Sequence, residues 1–168
     1  MSKPVLYYHF GSKAGLFRVI VDEAENQLLE VILKSKASAP DVRRQLEEIC
    51  AAMFQFAREN PSVIGLTLEL TATARRCPAR KQCRGKLRRR HTVIGKIMER
   101  GRNEGLFRQE FSNEQLLVGF LGLIHGHILH FLCNPAWPLN RSRAEAVVFS
   151  FLNGTADKPQ NFSNYATN

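Results

Sequence analysis

Residues 2–17 read SKPVLYYHFGSKAGLF and concentrate side chains able to hold a polyanion. Lys3, Tyr7, Tyr8, His9 and Lys13 bring cations, phenolic hydroxyls and an imidazole into one short stretch. Ser2 and Pro4 suit a helix start, since serine accepts an orphan amide proton and proline has no amide to lose. Leu6 and Phe10, at i and i+4, share one face of that helix. Gly11 ends it and Ser12 can cap the next. A short helix dense in donors, followed by a tight turn, suits a recognition helix lying in a DNA major groove.

Other residue types invite other chemistry. His125, His127 and His130 interrupt an apolar run, and His127 and His130 can share a helix face. No carboxylate or cysteine stands at fixed spacing beside them, so hydrogen-bonded or pocket-lining histidines are expected rather than a metal centre. Cys77 and Cys83 lie too far apart for a structural zinc pair, although a neighbouring cation could make Cys83 a reactive thiolate. Phosphate-binding glycine loops, the G-x-S-x-G elbow and H-E-x-x-H are absent, and no enzyme and no cofactor is expected.

The elements that must position these residues read as helices throughout. No sustained period-two alternation and no Asn-Gly or Asp-Gly turn occurs, which argues against strands. Ser12 caps a helix from about Lys13 to Leu33. Ser38, Pro40 and Asp41 mark the next start, running through Leu46, Ile49, Met53 and Phe56. Pro61 fits the first turn of a third helix, to about Arg75. A fourth begins near Pro78 and stops near Gly101 or Gly105. Ser112 with Gln115 forms a capping box, opening an apolar helix to Cys133. A last helix, about Arg141 to Leu152, ends at Gly154, and a polar tail follows. The class is all-α.

The 168 residues are 44% apolar, ample for a core, and carry a net charge of +9. That surplus lies in one segment. Arg75 to Lys96 holds ten basic residues and no acid, so the rest of the chain is close to neutral. Such runs are usually solvated faces, with phosphate contacts or attraction of an anionic effector as the alternatives. The start has no secretory signal pattern, and the longest apolar stretch, Leu116 to Leu132, falls short of the ~20 residues of a membrane span. A cytoplasmic protein with free thiols and no membrane partner is expected, and that apolar stretch should be a buried helix.

The N-terminal stretch resembles the end of the helix-turn-helix in the tetracycline-repressor (TetR) family of bacterial transcriptional regulators. Ser2, Leu6, Tyr7, His9, Phe10, Lys13 and Leu16 match the family's V-S-x-x-T-L-Y-x-H-F-x-x-K-x-x-L pattern. Glu104 to Arg108 (E-G-L-F-R) is similar to the turn before the family's penultimate helix. The resemblance implies a ligand-responsive repressor in which Tyr7, His9 and Lys13 hold operator phosphates while Lys3 and Tyr8 face base edges. Leu6, Phe10 and Leu16 would be core of the DNA-binding bundle. It also implies a homodimer through the last two helices, with Gly119, Gly122, Gly126, Val147 and Phe151 at the interface.

An unknown small-molecule effector would enter among the helices, with Met53, Phe54, Leu66, Leu70 and His125 as pocket candidates from periodicity. The expected organisation is a partial helix-turn-helix with its connecting helix (1–33), a helical-bundle ligand-binding and dimerisation domain (34–154), and a tail (155–168). Val5 stands where the family has Thr. Two helices that precede the motif in the family are missing before Met1, which occupies the family's Val position, as a GTG codon read as a start would place it. Operator binding by the chain as given is therefore expected to be weak. The competing expectation is a helical binding module with no DNA role.

Overall fold

The computed structural model describes residues 10–37, 39–72 and 80–155. Among them the chain forms six helices and no strand: α1 Lys13–Ala37, α2 Val42–Glu59, α3 Pro61–Ala72, α4 Arg80–Asn103, α5 Asn113–Cys133 and α6 Arg141–Thr155. The all-α expectation holds.

Helix α2 is the hub, packing against each of the other five. Its buried residues Val42, Leu46, Ile49, Cys50, Met53, Phe54 and Ala57 recur every three or four positions, the spacing that turns one face inward. Burial pushes the Cys50 thiol well above its ordinary range, so this cysteine behaves as a small apolar residue. An Arg141–Glu48 ion pair (Nη1–Oε2 3.0 Å) crosses from α6 to the same helix.

The helix ends follow local chemistry. Gly15 N–H donates to Ser12 Oγ at 3.0 Å, so Ser12 does cap α1, which runs on to Ala37, past the expected end. The start of α2 falls at the last of the three residues expected to mark it, Ser38, Pro40 and Asp41, and the cap is not the expected Ser38. Asp41 is the cap, its carboxylate accepting from Arg44 N–H at 2.8 Å, because it is the residue one step before the helical run. The Ser112–Gln115 capping box is complete in both directions, at 2.8 and 3.2 Å. Gly154 lies inside α6 and does not end it.

Between α4 and α5 the E-G-L-F-R turn closes as a Schellman motif. Leu106 N–H donates to Gly101 O at 2.8 Å and Gly105 N–H to Arg102 O at 3.0 Å. Gly105 takes φ +71°, a left-handed conformation that suits glycine. The turn drops Phe107, 1% exposed, onto Gly101 and edge-on to Phe151 at 5.8 Å.

Helix α5 departs from the expected all-round burial. By length and composition it is apolar enough to cross a membrane, yet only 28% of its apolar window is buried within the monomer. Leu116, Phe120, Leu121, Ile124 and Ile128 face inward. Val118, Leu123 and Leu129 face out, with Gly119, Gly122 and Gly126 beside them.

Candidate effector cavity and N-terminal turn

The N-terminal motif meets the described structure at its last residues. Lys3, Tyr7, Tyr8 and His9 lie outside the described residues, as does the side chain of Lys13. The turn itself is defined. Phe10 is helical, Gly11 takes φ +69°, and α1 begins two residues later. A Cβ on Gly15 would stand 2.0 Å from the Phe10 carbonyl oxygen. That separation is far inside contact distance, so the turn closes only because position 15 has no side chain. The sequence reading passed over Gly15.

A cavity of about 310 Å³ opens among α1 to α5, at the small end of the roughly 300–1,000 Å³ of small-molecule pockets. Its wall is mainly apolar. Ala24 and Leu28 contribute from α1, Met53 and Phe56 from α2, and Ile64 and Leu68 from α3. Helix α5 supplies Leu121, Ile128 and His125, while Val118 and Gly122 bound the cavity where α5 reaches the surface. Two of the five pocket candidates, Met53 and His125, lie on this wall. Phe54 is fully buried elsewhere in the core, its ring 6.0 Å from that of His127. Leu66 is half-buried outside the lining, and the Leu70 side chain is outside the described residues.

The polar part of the wall is compact. Glu25 on α1 and Arg90 on α4 form an ion pair, Oε1 to Nη1 3.3 Å, with both side chains 6% exposed. His91 and His125 stand close by. Burial, with the Arg90 and His91 charges added to it, lowers the His125 pKa to about 4. Burial and Arg90 also lower that of His91. His125 is therefore neutral at pH 7 and presents one donor and one acceptor nitrogen.

Sequence reasoning took Arg75 to Lys96 as a solvated face and missed Arg90. Arg88 and Arg89 are indeed exposed, while Arg90 is 5% exposed. Helical phase carried the signal. Arg90 precedes Ile94, Ile97 and Met98 on one stripe, and all three are buried. Glu25 likewise follows the buried Ala24 and Val21.

The other histidines serve a different cluster. Trp137 Nε1–H donates to His127 Nδ1 at 3.4 Å, and His130 meets the indole edge-on at 4.4 Å. The Arg143 guanidinium lies 4.4 Å over the same ring, a cation–π contact. Burial, then the Arg143 and His130 charges, hold the His127 pKa below its ordinary value, in keeping with an Nδ1 that must stay bare to accept. Among the described residues no three His, Cys, Asp or Glu side chains converge as metal ligands would.

The interface candidates fall on two different faces. Gly119, Gly122 and Gly126 are exposed, and a Cβ on either of the last two would meet nothing. Val147 and Phe151, 2% and 4% exposed, lie in the monomer's own core, where Phe151 touches Phe120 and Phe107. On α6 Ala146 and Phe149 are instead apolar side chains that face outward.

Comparison with known proteins places this arrangement. A family model described as BetI-type transcriptional repressor, C-terminal, matches residues 42–157. Over 74 residues the chain is 32% identical to the nucleoid occlusion factor SlmA of Haemophilus influenzae (strain PittGG), covering 44% of this chain and 33% of that protein. The chain thus matches about a third of the length of these curated relatives. Three solved structures share the fold. The TetR family transcriptional regulator PfmR from Thermus thermophilus aligns with TM-score 0.71 at 20% identity, over 91% of this chain and 82% of that one. The ketosteroid transcriptional regulator KstR2 of Mycobacterium tuberculosis gives 0.73 at 14%, over 94% and 80%. A protein of unknown function from Rhodococcus sp. RHA1 gives 0.76 at 14%, over 93% and 79%.

Proposed function

The chain belongs to the TetR family of transcriptional regulators, with a BetI-type C-terminal domain, and from that premise we propose that it is a cytoplasmic, ligand-responsive repressor that acts as a homodimer on operator DNA, without catalysis. The path of α1 carries this reading. Its first turn is fixed against the preceding Phe10–Ser12 turn through Ser12 and Gly15. About two and a half turns further on, Ala24, Glu25 and Leu28 form part of the cavity wall. A ligand that moves this wall tilts the same helix whose first turn follows directly on the segment assigned to DNA. In a dimer such a tilt changes the separation of two recognition helices that must enter successive major grooves. Lys3, Tyr7, Tyr8, His9 and Lys13 are the residues assigned to DNA, within a unit at 1–33, and residues 34–154 form the effector and dimerisation unit.

Binding of the full gene product to its own upstream DNA tests this. Affinity should fall steeply with salt, log K declining linearly with log salt as counterions are released. Gly15→Ala should weaken binding at least tenfold, because the new Cβ cannot share space with the Phe10 carbonyl, while leaving the helical content intact. Salt-independent binding, or an unchanged affinity in the variant, would refute the assignment.

The dimer reading rests on the outer face of α5. Val118 and Leu129 are 61% and 55% exposed, and two glycines there face open space although each costs about 1 kcal/mol of helix propensity. An apolar stripe with room for close backbone approach is what a second copy covers. Phe149 and Ala146 extend it on α6, and Val147 and Phe151 support it from beneath. Leu129→Glu should convert the dimer to monomer in analytical ultracentrifugation with its helical signal retained. A membrane-seated α5 would instead carry the protein into the membrane fraction.

A further inference from the structure

Arg90 is the odd member of the cavity wall. Its side chain is almost wholly buried and lines the cavity, and its Nη1 is committed to Glu25. Its Nε has no hydrogen-bond partner among the described residues. A buried N–H without an acceptor costs stability and is rare in folded proteins. The Nε of Arg100 and that of Arg102 share this lack of a hydrogen-bond partner, but of the three only Arg90 lines the cavity, where a ligand can supply the missing acceptor.

The surroundings decide what kind of acceptor fits. Glu25 already balances the Arg90 charge, and its carboxylate stays within the same apolar wall. A carboxylate ligand at Arg90 would bring a second anion beside Glu25, where low polarity strengthens their repulsion. An uncharged carbonyl needs only the free N–H. Neither neighbouring histidine offers a compensating positive charge, since burial keeps His125 and His91 toward their neutral forms. Apart from Thr67, whose hydroxyl donates to Val63 O at 2.8 Å within its own helix, the rest of the wall is apolar, mainly Leu, Ile, Met and Phe side chains, which favour a hydrocarbon body.

We infer that the cavity selects uncharged, largely apolar molecules bearing one hydrogen-bond acceptor, of the ketone, ester or amide class, received by Arg90 Nε, and that Glu25 turns away carboxylates of the same shape. This rests on reading the cavity as the effector site, and it names the ligand chemistry of that site.

Calorimetric titration of the purified protein with 2-decanone and with decanoate at pH 7.5 tests it. Wild-type protein should bind 2-decanone at least tenfold more tightly than decanoate. Glu25→Gln should shrink that preference by strengthening decanoate binding. The double variant Glu25→Gln with Arg90→Met buries no charge and keeps the cavity apolar, so it should fold even where the single variant does not. It should lose about tenfold in affinity for 2-decanone. Decanoate binding as tight as 2-decanone in the wild type overturns the selectivity while leaving a ligand cavity in place. Undiminished 2-decanone binding by the double variant overturns the role of Arg90. Failure of both probes to bind the wild type overturns this inference and the effector reading together.

Discussion

Arg90→Leu should cost about 3–5 kcal/mol of folding stability, the usual result of removing one partner from a buried ion pair. The loss exceeds that of a surface arginine because Glu25, 6% exposed, would be left inside the cavity wall with no cation beside it. Denaturant unfolding followed by circular dichroism reads the effect directly. Two controls separate burial from charge. Arg89→Leu, one residue away and exposed, should change stability by no more than about 0.5 kcal/mol. Removing both charges together should restore most of the loss, because a buried pair and an apolar replacement of similar volume are often close in energy. If Arg90→Leu and Arg89→Leu behave alike, the pair is not buried as described.

Phe107→Ala should be comparably damaging, at about 3–5 kcal/mol, the range for deleting a buried aromatic ring. The ring is 1% exposed and contacts both Gly101 and Phe151, so its removal leaves a void at the junction of α4 and α6. The turn that places it is also tied to the last helix, Arg108 N–H donating to Thr155 O at 2.9 Å. Gly101→Ala is the sharper companion. Helix propensity alone gives a gain of about 1 kcal/mol. The structure reverses the sign: a Cβ there would stand 2.4 Å from Phe107 Cε2 and 3.2 Å from Val42 Cγ1. A loss of about 1–3 kcal/mol, the typical cost of overpacking, is expected in the same unfolding measurement. A stabilised Gly101→Ala would mean that the ring yields freely.

Much of the fold could be read before any coordinates because its signals are local. Ser12, Pro61 and the Ser112–Gln115 pair act on the backbone within four residues, and each begins a helix where expected. The errors share that locality. Ser38, Pro40 and Asp41 all favour a helix start, and only the geometry of Asp41 decides among them. Gly154 could end a helix, yet Thr155 is held by its side-chain hydroxyl, which donates to Phe151 O at 2.8 Å.

The site was less legible, since it depends on phase and on contacts distant in sequence. Glu25 and Arg90 are 65 positions apart. Nine other basic residues share the segment with the one that turns inward, and its register with Ile94 and Met98 sets it apart. On α6, Val147, Phe149 and Phe151 look equivalent as a list. The helical turn sends the first and last into the core and the middle one outward.

Val118 and Gly122 belong at once to the mouth of the cavity and to the outer stripe of α5. In the dimer proposed above, a second subunit seated on that stripe would stand at the doorway of the cavity. Occupancy and assembly would then be linked quantities: the affinity measured for a small molecule would depend on how much protein is in the tube. Dilution, as well as chemistry, would set the signal to which such a regulator responds.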